Sequence, residues 1–586
     1  MKAYRILIHD RNYTSWEFCY ADTNLPVTDN EVSALSTINP LSMKLFSRDI
    51  FTFDEKGVFI MVQPYTQLRE SIAGVLLLEN NKTFGRTANK KRLLYKCIPD
   101  DKRIPAFLIP YDIKLGFTKV NKNKFVTFKY TNWDDKHPHG ILLETIGDVD
   151  NLNSFYEYQL YCRSLHISMT EFNNKTREKF KVKTTAEYFE QIFKNPDFQI
   201  EDRRDEYVFT VDPQNSCDYD DGYSIRLLED GTWRVSIYIA NVFFWLETLG
   251  LWNSFSKRVS TIYLPDRRRP MLPSILSDTL CSLQCNEDRF ALVMDIIIDN
   301  EGNILNGNDI KYKNVRLRVN KNYVYEDPVM IAKDTNYINL LELTKKMDNT
   351  VETSHDVVAF WMVLMNTYTG SIMIEEKFGI FRTATYLKKP DSVYGLDAET
   401  TRVVQNWNNT TGQYILYNKD VLLEHELLNL KSYIHITSPI RRLVDLLNQM
   451  MLFEKFGLVK AFSKESSEFL NKWLNEMEYL NASMRSIRKI QTDCALVDKC
   501  FNNPEIVEKV YHGTVFDKIV KSDTTINYMV YLPELKLLSR ISSSHIHMDN
   551  FTKGEFKIFL FEDEDKTKKK IRIQPVNETN MFPRIY

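Results

Sequence analysis

The sequence predicts an α+β multidomain chain with small β-barrels flanking a larger central domain. Three observations predict it. At about 150 residues per domain, 586 residues make roughly four domains. Short β-rich runs crowd the two ends, and in the central stretch strands come first and longer helical periodicity follows. No repeat of fixed period runs through the chain, which argues against solenoids and propellers.

From the N-terminus to about residue 200, the runs VFIMVQPY, IAGVLLL, IPAFLIPY and FVTFKYTNW are separated by polar turns, the texture of small barrels of the cold-shock or OB type. Between about 200 and 500 the strand runs are YVFTV, YSIRLL, WRVSIYIANVFFWL and ALVMDIIID. Helical periodicity then takes over in DVVAFWMVLMNTYTGSIM, in PIRRLVDLLNQMMLFEKF and after Ser463. Strands return in YHGTVFDKIV, NYMVYLPEL and GEFKIFLFE, which fit a terminal OB-like barrel. The expected division is 1–110 and 111–200 for two barrels, 201–503 for the central domain and 504–586 for the last barrel.

Composition excludes several function classes. With 76 basic and 78 acidic residues, a formal charge of −2 and a pI near 6.6, the chain is no polycation, so any nucleic-acid contact must come from local clustering. Apolar residues at 43%, with only 18 Gly and 19 Pro, describe a chain that buries several cores. The eight cysteines are scattered; the pairs Cys281 with Cys285 and Cys494 with Cys500 have no second pair at zinc-ligand spacing, so free thiols in a reducing compartment are expected. The absence of a run of 18 apolar residues and a start, MKAYRILIHD, unlike a signal peptide lead us to expect an intracellular, cytoplasmic protein with no membrane partner.

Four aspartates, Asp212, Asp218, Asp220 and Asp221, fall within ten residues in YVFTVDPQNSCDYDDGYSIR, after an apolar strand and before a hairpin that turns at Glu229-Asp230-Gly231. Such anions repel one another unless they are solvated or share a cation, and oxygen-only ligands favour Mg²⁺ or Mn²⁺ over zinc. A solvent-exposed acidic turn fits the spacing equally well. A calcium loop fits worse, because Gly222 comes one position too early.

In YIHITSPIRRLVDLLNQMML, Ser438 is expected as an N-cap and Pro439 as the first helical residue, with Ile440, Leu443, Val444 and Leu447 on the buried face. Arg441 and Arg442 then occupy a first turn where the helix dipole disfavours cations, which a bound phosphate would explain. Pairing with nearby carboxylates such as Asp445 explains it as well.

Together the two segments resemble the ribonuclease II and ribonuclease R family, the RNB exoribonucleases, where Asp-x-Asp-Asp is followed later by Thr-Ser-Pro-Ile-Arg. TIYLPDRRRPMLPSILSDTLCSLQCNEDRFAL resembles a third stretch of that family, and the likeness covers most of residues 205 to 455. CIPDDKRIPAFLIPY and YTNWDDKHPHGILLETIG resemble its cold-shock-like domains, and the C-terminal strands its S1 domain. With fewer than 205 residues before the catalytic domain, two barrels are expected there and no endonuclease domain. The resemblance implies that Asp212, Asp218, Asp220 and Asp221 hold Mg²⁺, as a two-metal site in which Mn²⁺ substitutes, or orient its waters, with Asp220 the least replaceable. It implies that Arg441 stabilises the scissile phosphate, that Tyr263 lines the RNA path with Arg442 among the RNA-binding residues, and that Tyr325, with Tyr323 as the competitor, packs near the terminal nucleotide.

The chain also departs from that family. Ala359 and Phe360 stand where acidic residues precede the equivalent of Asn366, Asn241 replaces an aspartate, and Gln449 replaces a histidine. The chain between Tyr325 and Ser354 is also shorter than the family norm. The implied activity is processive 3′-to-5′ hydrolysis of single-stranded RNA to nucleoside 5′-monophosphates, by a monomer whose protein partners the sequence does not name. The alternatives are a weak or inactive RNA-binding protein on the same fold, and a DNA exonuclease with similar metal chemistry.

Overall fold

The computed structural model describes residues 2–576 apart from 28–34, 80–81, 88, 90, 114–120, 306, 308–309, 385–395, 408–411, 421–422, 426–429, 521–524, 544–546 and 563–568. The chain divides into two compact units, one of residues 1–166, 264–266 and 490–586, the other of residues 167–263 and 267–489.

In the first unit, β1 (Ala3–Ile8), β2 (Trp16–Tyr20), β3 (Ile50–Phe53) and β4 (Phe59–Gln63) form an antiparallel sheet in the order β2-β1-β3-β4. The next five strands are β5 (Ile72–Leu76), β6 (Leu93–Pro99), β7 (Phe107–Tyr111), β8 (Lys124–Asn132) and β9 (His139–Asp148), and they close a barrel. Ile6, Ile8, Phe46 and Phe51 of the sheet region pack into one apolar core with Ile72, Phe107, Val126 and Phe128 of the barrel. The expected division at 110 and 111 falls inside β7 of that barrel, because non-adjacent runs pair across it. Residues Leu152–Cys162 then form a helix capped by Asn151.

The second unit begins with helices Thr170–Val182 and Thr185–Phe193. Its central sheet takes the order β10-β17-β11-β12-β13-β16 from β10 (Ile200–Asp202), β11 (Val208–Asp212), β12 (Asp221–Leu227), β13 (Trp233–Ala240), β16 (Asp288–Ile298) and β17 (Lys311–Val324). Between β13 and β16 lie the two-residue strands β14 (Ile262–Tyr263) and β15 (Arg268–Arg269). The run WRVSIYIANVFFWL is not strand throughout. Asn241 accepts a hydrogen bond from the Phe244 N–H and Gly250 takes a left-handed φ of 57°, so Val242–Leu249 becomes a buried helix.

The helix Ser354–Glu375 opens on a capping box between Thr353 and Asp356. By length and composition it is the one helix among the described residues that could cross a membrane. Val357, Trp361, Met365 and Met373 are nevertheless buried in the second unit. Strands β18 (Ile380–Thr383) and β19 (Gln413–Leu416) pair beside it.

The helix expected from Ser438 starts instead at Leu443 and runs to Lys455. Residues 438–442 form a turn, because their backbone is engaged elsewhere: Thr261 donates to the Arg441 carbonyl, Leu443 donates to the Val259 carbonyl, and Arg442 bridges to Ser260. The predicted buried face holds, with Ile440, Leu443, Val444 and Leu447 all inside. Helices Lys464–Asn475 and Met477–Asn502 follow. The chain then returns to the first unit, where β20 (Val510–Val520), β21 (Ile526–Leu532), β22 (Leu537–Ser543), β23 (Lys553–Glu562) and β24 (Lys569–Pro575) form a sheet in the order β22-β21-β20-β23-β24 around Val515, Tyr528, Val530 and Phe556.

Candidate active site

The C-terminal end of β11 and the start of β12 place all four sequence-selected aspartates on one cavity of about 950 Å³ in the second unit. Asp212 ends β11, Asp221 opens β12, and the connecting loop carries Asp218 and Asp220. Arg441, Arg442, Tyr263 and Tyr325 line the same cavity, so Asp212 and Arg442, 230 positions apart in sequence, converge on it.

Asp220 is 2% exposed and is held on both oxygens. Its Oδ1 accepts the Ile440 N–H at 2.9 Å and its Oδ2 accepts the Arg441 Nε–H at 3.1 Å. Burial pushes its carboxyl up to about 8 despite the opposing pull of Arg441. Burial also raises Asp221 and Asp212, and the charge of Asp221 adds to the rise at Asp212. The Oδ2 of Asp212 is buried with no hydrogen-bond partner.

The sequence offered the four carboxylates as metal ligands or as groups that orient a metal's waters; among the described residues no group of three or more acidic, His or Cys side chains is arranged to hold a metal ion. Protein donors already engage two more of them. Asp221 accepts from Tyr223 at 2.8 Å, and Asp218 accepts from Tyr263 at 3.2 Å and pairs with Arg268 at 3.0 Å. The donor chemistry suits a hard divalent cation at Asp212 and Asp221, which offer oxygens only, include an orphaned one, and lie close enough that the charge of Asp221 raises Asp212.

The two arginines separate sharply. Arg441, its side chain 44% exposed, is braced by Asp220 and by Ser438 Oγ at 3.0 Å and presents its remaining donors to the cavity. Arg442 lines the same cavity and pairs with the fully buried Asp445 at 2.9 Å, the carboxylate contact that was one of the two explanations open to it. The tyrosines separate too. Tyr323 is buried with its hydroxyl donating to Asp334 at 2.7 Å, whereas Tyr325 faces the cavity with its ring against His355 at 5.1 Å.

Sequence reasoning missed one wall. His355, Val358, Met362 and Asn366 come from one face of the Ser354–Glu375 helix, at the i, i+3, i+4 spacing that would have revealed it. Ala359 and Phe360 do not line the cavity. Behind that wall, Asn366 donates to Tyr433 at 3.3 Å and accepts from the Ile436 N–H, and Tyr414 bonds His435 Nδ1 at 2.7 Å. Burial and the guanidinium groups of Arg442 and Arg382 push His435 well below the usual imidazole range, so it is neutral. Asn241 caps its helix, and Gln449 is buried against the carbonyls of Ala240 and Ile436, so both departures serve the core.

The chain matches the RNB domain model over residues 200–337. It is 26% identical over 279 residues to ribonuclease R of Aquifex aeolicus, covering 44% of this chain and 38% of that protein. It is 30% identical over 251 residues to DIS3-like exonuclease 2 of Caenorhabditis elegans, covering 38% and 28%. The chain thus spans well under two thirds of these relatives. Its fold resembles Mycoplasma genitalium RNase R, solved in complex with ribose methylated single-stranded RNA, at a TM-score of 0.64 and 15% identity, over 98% of this chain and 96% of that one. It also resembles yeast Ssd1, a pseudonuclease, at a TM-score of 0.59 and 13% identity, over 99% and 83%. The chain is thus similar to the RNB domain over residues 200–337, the stretch that holds the aspartate strands, and it has the fold of ribonuclease R.

Proposed function

We propose that the chain is a Mg²⁺-dependent exoribonuclease that hydrolyses single-stranded RNA processively from its 3′ end and releases nucleoside 5′-monophosphates. The observation that carries this reading is the meeting, in one cavity, of a buried carboxylate set containing an orphaned oxygen with a braced, exposed guanidinium. Asp212 and Asp221 would hold the cation, and Asp220, engaged on both oxygens, would brace Arg441 beside it. One Mg²⁺ or two, when bound, supply a water of lowered pKa and positive charge against the phosphate. No protein nucleophile is needed.

The chain's own groups do the rest. Arg441 cannot swing freely, because Asp220 and Ser438 fix its planar fork, and its free N–H groups suit a phosphate oxygen whose charge grows during cleavage. Tyr325 and His355 give one side of the cavity flat faces for a base. Neutral donors and acceptors at Asn366, Tyr433 and His435 suit ribose hydroxyls without attracting an anion. That RNase R of similar fold was solved with single-stranded and with double-stranded RNA supports RNA as the polymer.

The test uses a 5′-labelled single-stranded RNA with a free 3′ end, Mg²⁺, and either the wild-type protein or Asp220→Asn, resolved on a denaturing gel. A ladder that shortens from the 3′ end, disappears in the variant and spares DNA is the expected result. Intact RNA that both proteins shift on a native gel would instead establish an RNA-binding protein, the reading to which the fold likeness to a pseudonuclease belongs.

A further inference from the structure

We infer that Asp218 is a positioning residue and not a metal ligand: it fixes Tyr263 and Arg268 as a paired grip for a nucleotide at one rim of the cavity. This rests on the RNA reading above and sharpens it by separating Asp218 from Asp212 and Asp221.

One oxygen of Asp218 accepts a hydrogen bond and the other meets a guanidinium charge, both from side chains of one hairpin. Tyr263 Oη–H donates to Oδ2 at 3.2 Å, and Arg268 Nη1 lies 3.0 Å from Oδ1. Tyr263 and Arg268 are direct cross-strand partners in the β14–β15 pair. A pair of two-residue strands has too few backbone bonds to fix a side chain, so the shared carboxylate must do so. Arg268 is also held from its far side, where Nη2 meets Asp278 Oδ2 at 2.5 Å. Asp278 stands on a single π-turn, Leu276–Leu280, a geometry that recurs where a helix is bent to deliver a side chain.

The result is a ring and a guanidinium held side by side. Tyr263 is 43% exposed, unusual for a large aromatic residue whose hydroxyl is already anchored, and both residues line the cavity. A flat ring stacks on any base, and an adjacent fixed guanidinium meets the phosphate or the base edge of the same nucleotide. Asp212 differs in kind from Asp218, since its Oδ2 has no protein partner. A carboxylate with both oxygens already given to an arginine and a tyrosine has to surrender one before it can bind a cation, whereas the orphaned oxygen surrenders nothing.

The test compares wild type, Asp218→Ala, Tyr263→Phe and the double variant of the full chain, with two readouts that need no turnover. The first is fluorescence anisotropy of a labelled 12-nucleotide RNA in EDTA, and the second is Mn²⁺ binding followed by electron paramagnetic resonance. Each single variant should weaken RNA binding about threefold to tenfold, the loss of roughly one charge-assisted hydrogen bond. The double variant should be no weaker than the worse single one, because both remove the same link. Mn²⁺ affinity should stay at the wild-type value in all four proteins. A tenfold loss of Mn²⁺ affinity in Asp218→Ala with RNA affinity intact, or fully additive losses, would overturn the inference. If Asp218→Ala does not fold, Asp218→Asn takes its place in the same cycle with Tyr263→Phe. Wild-type protein that binds RNA and Mn²⁺ yet cleaves nothing sinks the hydrolase reading and leaves this one standing; wild-type protein with no affinity for RNA overturns both.

Discussion

Arg441 and Arg442 are adjacent, identical in sequence, and opposite in use. Asp220 and Ser438 hold Arg441 from the protein side while its free donors face the cavity. A lysine in its place keeps the charge but cannot keep both contacts and still present a fork to a phosphate. Arg441→Lys is therefore expected to lower kcat by about a hundredfold to a thousandfold, the usual cost of removing a fixed transition-state donor, while thermal stability stays near wild type. Single-turnover cleavage and a melting curve on the same preparation check it. Arg442→Ala leaves Asp445 buried without its cation and should cost about 3–5 kcal/mol, measured by urea denaturation. The sequence made both candidates legible, because a Ser-Pro-x-Arg-Arg turn ahead of an apolar helix is uncommon chemistry. What it did not reveal is which arginine faces inward, since that depends on Asp445 being enclosed. The aspartates were legible in the same partial way. Their convergence on one cavity follows from the pattern, but the partners Tyr263 and Arg268 of Asp218 lie 45 and 50 residues away in sequence, beyond any spacing argument.

Helices and strands were read well where periodicity or an apolar run carried the signal and poorly where backbone partners lie far off. The Ser354–Glu375 helix extends the run DVVAFWMVLMNTYTGSIM by only two residues at each end, because a capping box marks its start. The Leu443–Lys455 helix begins later than its Ser-Pro signal, because residues 259–261 capture the preceding backbone. That same helix fastens the neutral wall of the cavity. Asn448, fully buried, accepts the Ile380 N–H at 2.8 Å and donates to the carbonyls of Ile380 and His435 at 2.9 Å each. One side chain thus ties β18 and the His435 segment to the helix. Asn448→Leu keeps the volume and strands three buried backbone groups, so a loss of about 2–5 kcal/mol is expected. Its effect on RNA cleavage should appear as a raised KM more than a lowered kcat, because Asn448 touches none of the carboxylates. A variant with wild-type stability would show that the His435 segment is held by its other contacts.

At the scale of the whole molecule, the charge cluster belongs to one of the two compact units, and both ends of the chain belong to the other. Separate cores predict separate melting transitions by calorimetry. The carboxylates give the second unit a pH signature whose sign can be worked out. Burial raises Asp212, Asp220 and Asp221 above their unfolded values, with Asp220 at about 8, so between the unfolded carboxylate range near pH 4 and about pH 8 the folded unit holds more protons than the unfolded chain. Their contribution is therefore fully present below that range and is lost as pH rises towards 8, the reverse of a salt-bridged acid such as Asp295, held below its usual value by Arg203 despite its burial. Asp212→Asn should flatten that decline, and the flattening is read by comparing the variant with wild type at pH 5.5 and pH 8. A divalent cation acts on the same groups in the opposite direction, because it binds only their ionised forms. Mg²⁺ at a hundred times its dissociation constant should add about 2.7 kcal/mol to the unit that holds it. The expected record is one transition that Mg²⁺ leaves in place and one that it raises, by more at pH 8 than at pH 5.5, with the rise lost in Asp212→Asn. Equal shifts in both transitions, or a shift independent of pH, would place the cation away from these carboxylates and remove the metal from the proposed reaction.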